Sequence, residues 1–214
     1  MIITLIRRFG WTVALFGLLA AANDRVEAAV LTEFTTGINT AATLFAGQSA
    51  TTPAGGPFNN ITFNFFSDIA GGTTPSAAGD LFILTQSYAG NPNALNSLTT
   101  GFLAQSTGIS GGVYQFNSAV TLLGGTQYFF YANQAVLVSG ANSGGYPGGT
   151  AYLASAANSP FADFSPGDAN FRLSGTPVGT AAVPEPSMLL GGGVGATLAA
   201  AYAVGKRRRR GPRA

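Results

Sequence analysis

Residues 126–140 read TQYFFYANQAVLVSG, an uncharged stretch that is rich in aromatic and β-branched residues. These residue types favour the pleated, half-buried surface of a β-strand. Similar short runs recur between residues 30 and 174, including NITFNFFSD at 60–68 and ANFRLSG at 169–175. Turn-forming clusters such as SPGD at 165–168 separate the runs. The pattern predicts an all-β body.

The alternation within these runs predicts how the body is layered. In NITFNFFSD, Ile61, Phe63 and Phe65 fall on one face of a strand. About nine short strands at this spacing are typical of two antiparallel sheets packed as a β-sandwich, which we place at residues 29–174. No fixed repeat indicates a solenoid. The one helical candidate is the short stretch NPNALNSL at 91–98.

The charged residues are concentrated at the two ends of the chain. Of ten Lys and Arg residues, three precede residue 29 and six follow residue 205. The stretch 29–182 keeps only Arg172, against five acidic residues, so its net charge is −4. A body with one cation cannot neutralise a row of phosphates, and we therefore exclude nucleic acid as a partner.

The N-terminus has the pattern of a secretory signal peptide. Two arginines precede an uncharged run at 12–22, which is too short to cross a bilayer as a helix. Ala28 is the best cleavage position, with Ala20 and Ala22 as alternatives. We therefore predict a signal helix within 1–28 that the secretion translocon accepts. A retained anchor or a buried N-terminal helix is the competing interpretation.

The C-terminus combines a short motif, an apolar span and a basic cluster. Residues 183–187 read VPEPS, and residues 188–204 carry no charge. As a transmembrane helix this span would be about 26 Å long, against roughly 30 Å for a bilayer core. Each cation costs about 2.5–3.5 kcal/mol at the bilayer centre, so a basic cluster stops translocation. The five consecutive cations are Lys206, Arg207, Arg208, Arg209 and Arg210.

The two prolines of the motif determine its local conformation. A proline disfavours helix in the residue before it, so Val183 and Glu185 should stay extended just outside the membrane. An extended segment is the form that a protease or transpeptidase cleft accepts. Residues 175–183 are predicted to be a flexible linker between the β body and this motif.

This three-part tail, at 184–210, resembles the PEP-CTERM sorting signal of Gram-negative bacteria. The resemblance implies that Pro184, Glu185 and Pro186 are recognised by an exosortase, a membrane-embedded cysteine-type protease or transpeptidase. It also implies a transient inner-membrane intermediate, followed by delivery to the cell envelope or to an extracellular polysaccharide matrix. An ordinary single-pass membrane anchor is the competing interpretation.

The body also resembles a loose group of secreted bacterial β-sandwich domains that occur with interchangeable C-terminal anchors. The residues that carry this likeness are FTTG at 34–37, GGVYQFNSAVTLLGGTQYFFYA at 111–132, and the stretches GGTAYLAS at 148–155 and DANFRLSG at 168–175. The group has no general enzymatic activity, so the likeness implies a fold and little about function.

The composition excludes the common catalytic sites. The chain has no His and no Cys, so a Ser-His-Asp triad, a cysteine nucleophile and a Cys/His zinc site are impossible. No nucleophile elbow or phosphate-binding glycine loop is present, and nothing pairs the five acids of the body for glycoside hydrolysis. We therefore expect a protein that is not an enzyme.

Calcium is the one cofactor for which the sequence offers ligands. In FADFSPGDANF, Asp163, Asp168 and Asn170 supply oxygen atoms near one loop. The spacing matches no EF-hand, and SPGD is equally a plain turn in which Asp168 bonds its own backbone. No cofactor is therefore firmly predicted.

Tyrosine rings are the candidates for contact with sugars. Most of them are expected to pack in the core or on a sheet face, because aromatic side chains usually do so. Tyr146 is the predicted exception, because GGYPGG is a loop with little around it. Some ice-binding proteins carry the same kind of tail, but the Thr pairs here have no constant spacing. The six candidate residues are Tyr88, Tyr114, Tyr128, Tyr131, Tyr146 and Tyr152.

Together these observations predict an exported, non-enzymatic protein of the envelope or matrix. Its expected partners are the translocon, an exosortase-type enzyme, the membrane and extracellular polysaccharide. A carbohydrate- or surface-binding module is the second hypothesis, and a β domain tethered by a single membrane span is the third.

Overall fold

The structure, a computed structural model, describes residues 28–68, 74–143 and 145–179. Within these ranges every strand pairing is antiparallel, and the only helical element is a 3₁₀ turn at Pro92–Ala94. The strands are β1 (Ala29–Phe34), β2 (Asn39–Thr51), β3 (Phe58–Phe66), β4 (Pro75–Ser76), β5 (Leu81–Leu84), β6 (Phe102–Gln105), β7 (Gly108–Ser110), β8 (Val113–Gln115), β9 (Gln127–Ala132), β10 (Val136–Ala141), β11 (Ala151–Ala154), β12 (Ala162–Asp163), β13 (Asp168–Ala169) and β14 (Phe171–Pro177).

The strands form a smaller and a larger sheet. The smaller sheet has the order β1-β14-β3-β8-β7, with β4 beside the end of β3. The larger sheet has the order β12-β11-β2-β9-β5-β6, and β10 pairs with both β2 and β13. The prediction of an all-β body built from antiparallel sheets is confirmed.

The stretch 126–140 forms two successive strands of the larger sheet. Both β9 and β10 pair with the long strand β2, β9 with its C-terminal half and β10 with its N-terminal half. Residues 133–135 connect the two strands. The two strands of this uncharged stretch, which is rich in β-branched and aromatic residues, thus pair with most of β2.

The two sheets face each other across a core of aromatic rings. Ile61, Phe63 and Phe65 of β3 are fully buried, so the predicted one-sided face is confirmed. Phe63 stacks on Phe130 of the larger sheet with 4.5 Å between ring centroids, and on Phe171 of its own sheet at 5.7 Å. The body is therefore sandwich-like, with its main core between the sheets.

A second hydrophobic cluster lies on the outer face of the larger sheet. The alternating residues of β5 divide between the two clusters: Leu81 and Ile83 face the main core, whereas Phe82 and Leu84 belong to the outer cluster. Tyr131 alternates with Phe130 in the same way along β9. We call this outer group the outer cluster; it consists of Phe82, Leu84, Leu95, Tyr131, Tyr152, Ala154 and Phe161.

The solvent side of the smaller sheet carries the cation of the body. Arg172 of β14 forms an ion pair with Glu33 of β1, with 2.7 Å between Nε and Oε2. The Arg172 guanidinium also lies over the ring of Phe66, 5.4 Å from its centroid. The pair spans two neighbouring strands and is about one-third exposed, so its contribution to stability is small.

Two predicted boundaries shift in the structure. The last strand, β14, continues to Pro177, so residues 175–177 belong to the sheet and not to the predicted linker at 175–183. The reason is pairing with β3, which extends to Pro177 opposite Phe58. The helical candidate at 91–98 contributes only the short 3₁₀ turn. The predicted signal and transmembrane helices lie outside the described residues.

Candidate functional site

Tyr146 is not the exposed ring that the loop sequence predicts. Its hydroxyl donates to the carbonyl of Thr51 and accepts from the Thr51 N–H, both at 3.1 Å. Its ring packs edge-on against Phe171 with 5.3 Å between centroids. The premise that little packs around Tyr146 is wrong, because the loop folds back onto β2 and uses this side chain as an anchor. The predicted sugar contact itself stays a prediction.

Asp168 is a buried carboxylate that is held by protein donors. Its Oδ1 accepts from the Gln48 side-chain amide at 2.8 Å, and its Oδ2 accepts from the Tyr146 N–H at 2.7 Å. Gln48 in turn accepts from the backbone N–H of Ala169 at 2.9 Å. Burial raises the pKa of Asp168, and the two hydrogen bonds oppose that shift. This network fixes loop 145–150 to β2 and β13.

Asn170 occupies the point where the chain passes from one sheet to the other. It is fully buried, and its Oδ1 accepts from the Gly37 N–H at 2.9 Å. Its Nδ2 donates to the Ser139 hydroxyl at 2.8 Å and to the Gly37 carbonyl at 3.1 Å. A Cβ on Gly37 would lie 2.3 Å from the Gly140 carbonyl carbon, so glycine is needed at this crossing.

These placements bear on the proposed calcium ligands. Asp168 and Asn170 direct their oxygens to N–H groups of the protein, and Asp163 is exposed, accepting from the Ser165 N–H at 2.7 Å. Within the described ranges no group of three or more acidic, His or Cys side chains is arranged to hold a metal ion. Each of the three side chains thus already accepts a hydrogen bond from the protein, and calcium binding stays a prediction.

An open concavity lies on the outer face of the larger sheet, and we call it the outer groove. Phe129 of β9 and Tyr152 of β11 line it, with their ring centroids 6.1 Å apart. Loop 147–150 forms one wall, and a Cβ on Gly149 would lie 1.9 Å from the Ser49 carbonyl oxygen, so glycine permits this close approach. The groove has a volume of about 570 Å³, which lies in the range of ligand-binding clefts.

Neutral polar groups surround the aromatic rings of the outer groove. Thr51 donates its hydroxyl to the Gly148 carbonyl at 2.8 Å, and the Gln127 side-chain amide donates to the same carbonyl at 3.3 Å. The exposed Ser87 also lines the groove. In the part of the chain that the structure describes, no acidic or basic side chain lines it. The site therefore offers hydroxyl and amide groups and no ionic contact.

Tyr152 lies buried beneath the outer groove, with a relative exposure of 9%. Burial and the charge of Asp163, the cross-strand neighbour of Tyr152, raise the pKa of this hydroxyl. The side chain of Ser49 opposes the shift. The phenol is uncharged near neutral pH, as in any tyrosine, and the shift changes nothing there.

A second cavity, of about 380 Å³, lies among β2, β10, β11 and β13. Its lining is chiefly apolar and includes Leu44, Val138, Leu153 and Phe164. Asp168 also lines it, but both carboxylate oxygens accept hydrogen bonds from the protein. Neutral polar side chains, including those of Asn39, Thr40 and Asn142, border the apolar part of the cavity.

Sequence reasoning missed Phe129 because a single strand does not reveal which face lies under a loop. It included Tyr152 only as one member of the tyrosine set. The alternation in QYFFYA does separate Phe129 and Tyr131 from Tyr128 and Phe130. The neighbouring strands that complete the groove come from distant parts of the chain, which the sequence pattern does not place together.

Of the residues predicted for sorting and cleavage, the structure describes only Ala28. Ala28, at the predicted cleavage position, is the first described residue and is exposed. The motif Pro184, Glu185, Pro186 and the basic cluster 206–210 lie outside the described residues, so they stay predictions.

Comparison of the chain with known proteins identifies no relative. No protein-family model matches the chain, and no curated protein or solved structure shows significant similarity to it. In residues 28–68, 74–143 and 145–179, no helix has the length and apolarity that a membrane crossing requires.

Proposed function

We propose that this chain is an exported, non-enzymatic protein of the cell envelope or extracellular matrix, sorted and processed at Pro184–Pro186 by an exosortase-type enzyme. The observation that best supports the proposal is the position of the two ends of the β body. Ala29, the residue after the predicted cleavage position, pairs with Gly175 near the end of β14. The two segments predicted to engage the membrane therefore leave the body side by side.

The strand that precedes the motif is firmly held in the sheet. β14 lies between β1 and β3, and the Val178 N–H then donates to the Pro57 carbonyl at 2.7 Å. The motif follows only after residues 179–183, beyond the last strand. An enzyme cleft can therefore accept the extended motif while the sheet stays intact.

The charge of the body is compatible with a hydrated, uncharged environment. Between residues 29 and 182 there is one cation and five acids, and Arg172 is already paired with Glu33. Few charges therefore remain to bind nucleic acid or an acidic membrane surface. This composition supports a matrix location more than a role in ionic binding.

The test is the intact mass and cellular fraction of the protein in its native host. Wild-type protein is compared with a variant in which Pro184, Glu185 and Pro186 are all replaced by alanine, and with Pro53→Ala as a control in an exposed loop of the body. We expect wild type and control to lack the basic tail and to reach the envelope or medium. The triple variant should stay full-length in the inner membrane.

One result would contradict the sorting proposal directly. If wild type and the triple variant both keep residues 206–210 and stay in the membrane, the tail is an ordinary anchor. The protein would then be a membrane-tethered β domain.

A further inference from the structure

We infer that the outer groove binds a segment of neutral polysaccharide, with the half-buried ring of Phe129 covering the apolar side of a sugar ring and Tyr152 buried beneath it. This inference deepens the proposed function by naming a ligand class for the exported body. It rests on side chains of β2, β9 and β11 that the sequence did not bring together.

The absence of charge in the groove selects against ionic ligands. In the described residues the lining has no cation that could compensate a carboxylate, sulfate or phosphate. The nearby acid Asp163 is the cross-strand neighbour of Tyr152 and would repel an anion. Because an uncompensated charge is costly to desolvate, an uncharged ligand fits best.

The groups that line the groove match the two sides of a sugar ring. Sugars have an apolar C–H face, which an aromatic ring can cover, and a rim of hydroxyl groups. Gln127 uses its Nε2 for the Gly148 carbonyl, which leaves its Oε1 to accept from a ligand hydroxyl. The exposed Ser87 hydroxyl supplies a further donor and acceptor.

The position of the groove within the sheet disfavours a peptide ligand. An extended peptide usually adds to a free sheet edge through backbone hydrogen bonds. Here β2 pairs with β9 and β11, β9 pairs with β2 and β5, and β11 pairs with β2 and β12. A ligand in the groove therefore meets side chains, and side-chain recognition by rings and hydroxyls suits a glycan.

The inference is tested by affinity electrophoresis of the full-length chain in a non-ionic detergent that is not a glycoside. The gels contain laminarin, dextran or galactomannan as neutral polysaccharides, and alginate as an anionic comparison. The key variant is Ser87→Trp, which places an indole in the groove from an exposed position. Ser118→Trp is the matched control, because Ser118 is exposed and does not line the groove.

We expect at least one neutral polysaccharide to retard the wild-type protein and alginate not to do so. Ser87→Trp should weaken that binding at least about tenfold, which corresponds to about 1.4 kcal/mol. Ser118→Trp should bind as wild type does. Circular dichroism and thermal unfolding of both variants show whether each stays folded.

Three results overturn the inference. They are no retardation by any of the three neutral polysaccharides, equal retardation by alginate, and unchanged binding by a folded Ser87→Trp protein. Failure here is distinguishable from failure of the sorting proposal, because this assay uses the unprocessed chain. A chain that binds glycan but is never processed would refute sorting alone.

Discussion

The two faces of the larger sheet are both covered, but by different means. The inner face packs on a second sheet through hydrocarbon rings, as in the Phe63–Phe130 stack. The outer face is covered by loop residues, and tyrosine hydroxyls fasten them. Tyr131 accepts from the Tyr88 N–H at 3.0 Å, and the Tyr88 hydroxyl donates to the Asn91 carbonyl at 3.0 Å.

The difference explains where a ligand site can lie. The facing sheet excludes solvent from most of the inner face, so the fully buried rings there, such as Phe63 and Phe130, serve stability. Loops cover only part of the outer face and leave Phe129 half-buried beside the outer groove, whereas Tyr152 beneath it is buried. Partial cover by loops therefore leaves the Phe129 ring within reach of a ligand.

The sharpest test of this comparison is a matched pair of Phe→Ala substitutions. Phe130→Ala removes a fully buried ring between two sheets and should cost about 3–5 kcal/mol of unfolding free energy. Phe161→Ala removes a ring beneath loops, which can collapse into the space, so we expect a loss nearer about 2 kcal/mol. Urea unfolding of both variants gives the two values. Equal losses would show that the loops pack as rigidly as a sheet does.

Alkaline pH should destabilise the protein through its buried tyrosines. Burial raises the pKa of Tyr114 to about 12, although the hydrogen bond with Ala78 acts in the opposite direction. In the unfolded chain a tyrosine ionises near pH 10, so the stabilisation is complete below about pH 10 and is lost as pH rises toward 12. The maximum loss from this residue is on the order of 3 kcal/mol.

The measurement is urea unfolding at a series of pH values between 9 and 12, as the phenols begin to ionise. Tyr114→Phe is the control, because it lacks this phenol and should lose less stability over the same interval. If wild type and Tyr114→Phe fall in parallel, the buried hydroxyl of Tyr114 contributes nothing to the alkaline transition. Burial also raises the pKa of Tyr131, so part of the decline should persist in the control.

The smallest expected loss of stability comes from removing a hydrogen bond that holds an outer loop on the sheet. Tyr131→Phe deletes the hydroxyl that accepts from the Tyr88 N–H, and it should cost about 1–2 kcal/mol. Hydrogen exchange should show faster exchange of the Tyr88 amide, with little change at inner strand β3. Tyr128→Phe is the matched control, because its hydroxyl instead accepts from the Leu123 N–H at 2.8 Å. Unchanged exchange at Tyr88 would mean that packing alone holds the loop.

Much of the main core could be predicted from local patterning. The alternation that assigns Ile61, Phe63 and Phe65 to one face is a property of consecutive residues, and all three are buried. Two-sided burial was harder to predict. The run LFIL at 81–84 is buried throughout because loops from elsewhere in the chain cover its second face.

The candidate site was less accessible to sequence reasoning than the core. Tyr146 was singled out because glycine and proline surround it, yet its hydroxyl binds Thr51, which is far away in the sequence. Asp168 and Asn170 were considered as calcium ligands because they lie near one loop in the sequence. In the structure their oxygens accept hydrogen bonds from Gln48 and Gly37, respectively. In each case the polar group found its partner through the tertiary fold.

By itself the sequence determined an all-β antiparallel body with few charges, because strand alternation and charge placement are local properties of the chain. Only the tertiary structure decided which tyrosines are anchors and which aromatic residues line a groove. The physical reason is that a buried polar group must find a hydrogen-bond partner, and an aromatic ring is covered only by what packs on it. Both depend on segments that are distant in sequence and become neighbours when the two sheets assemble.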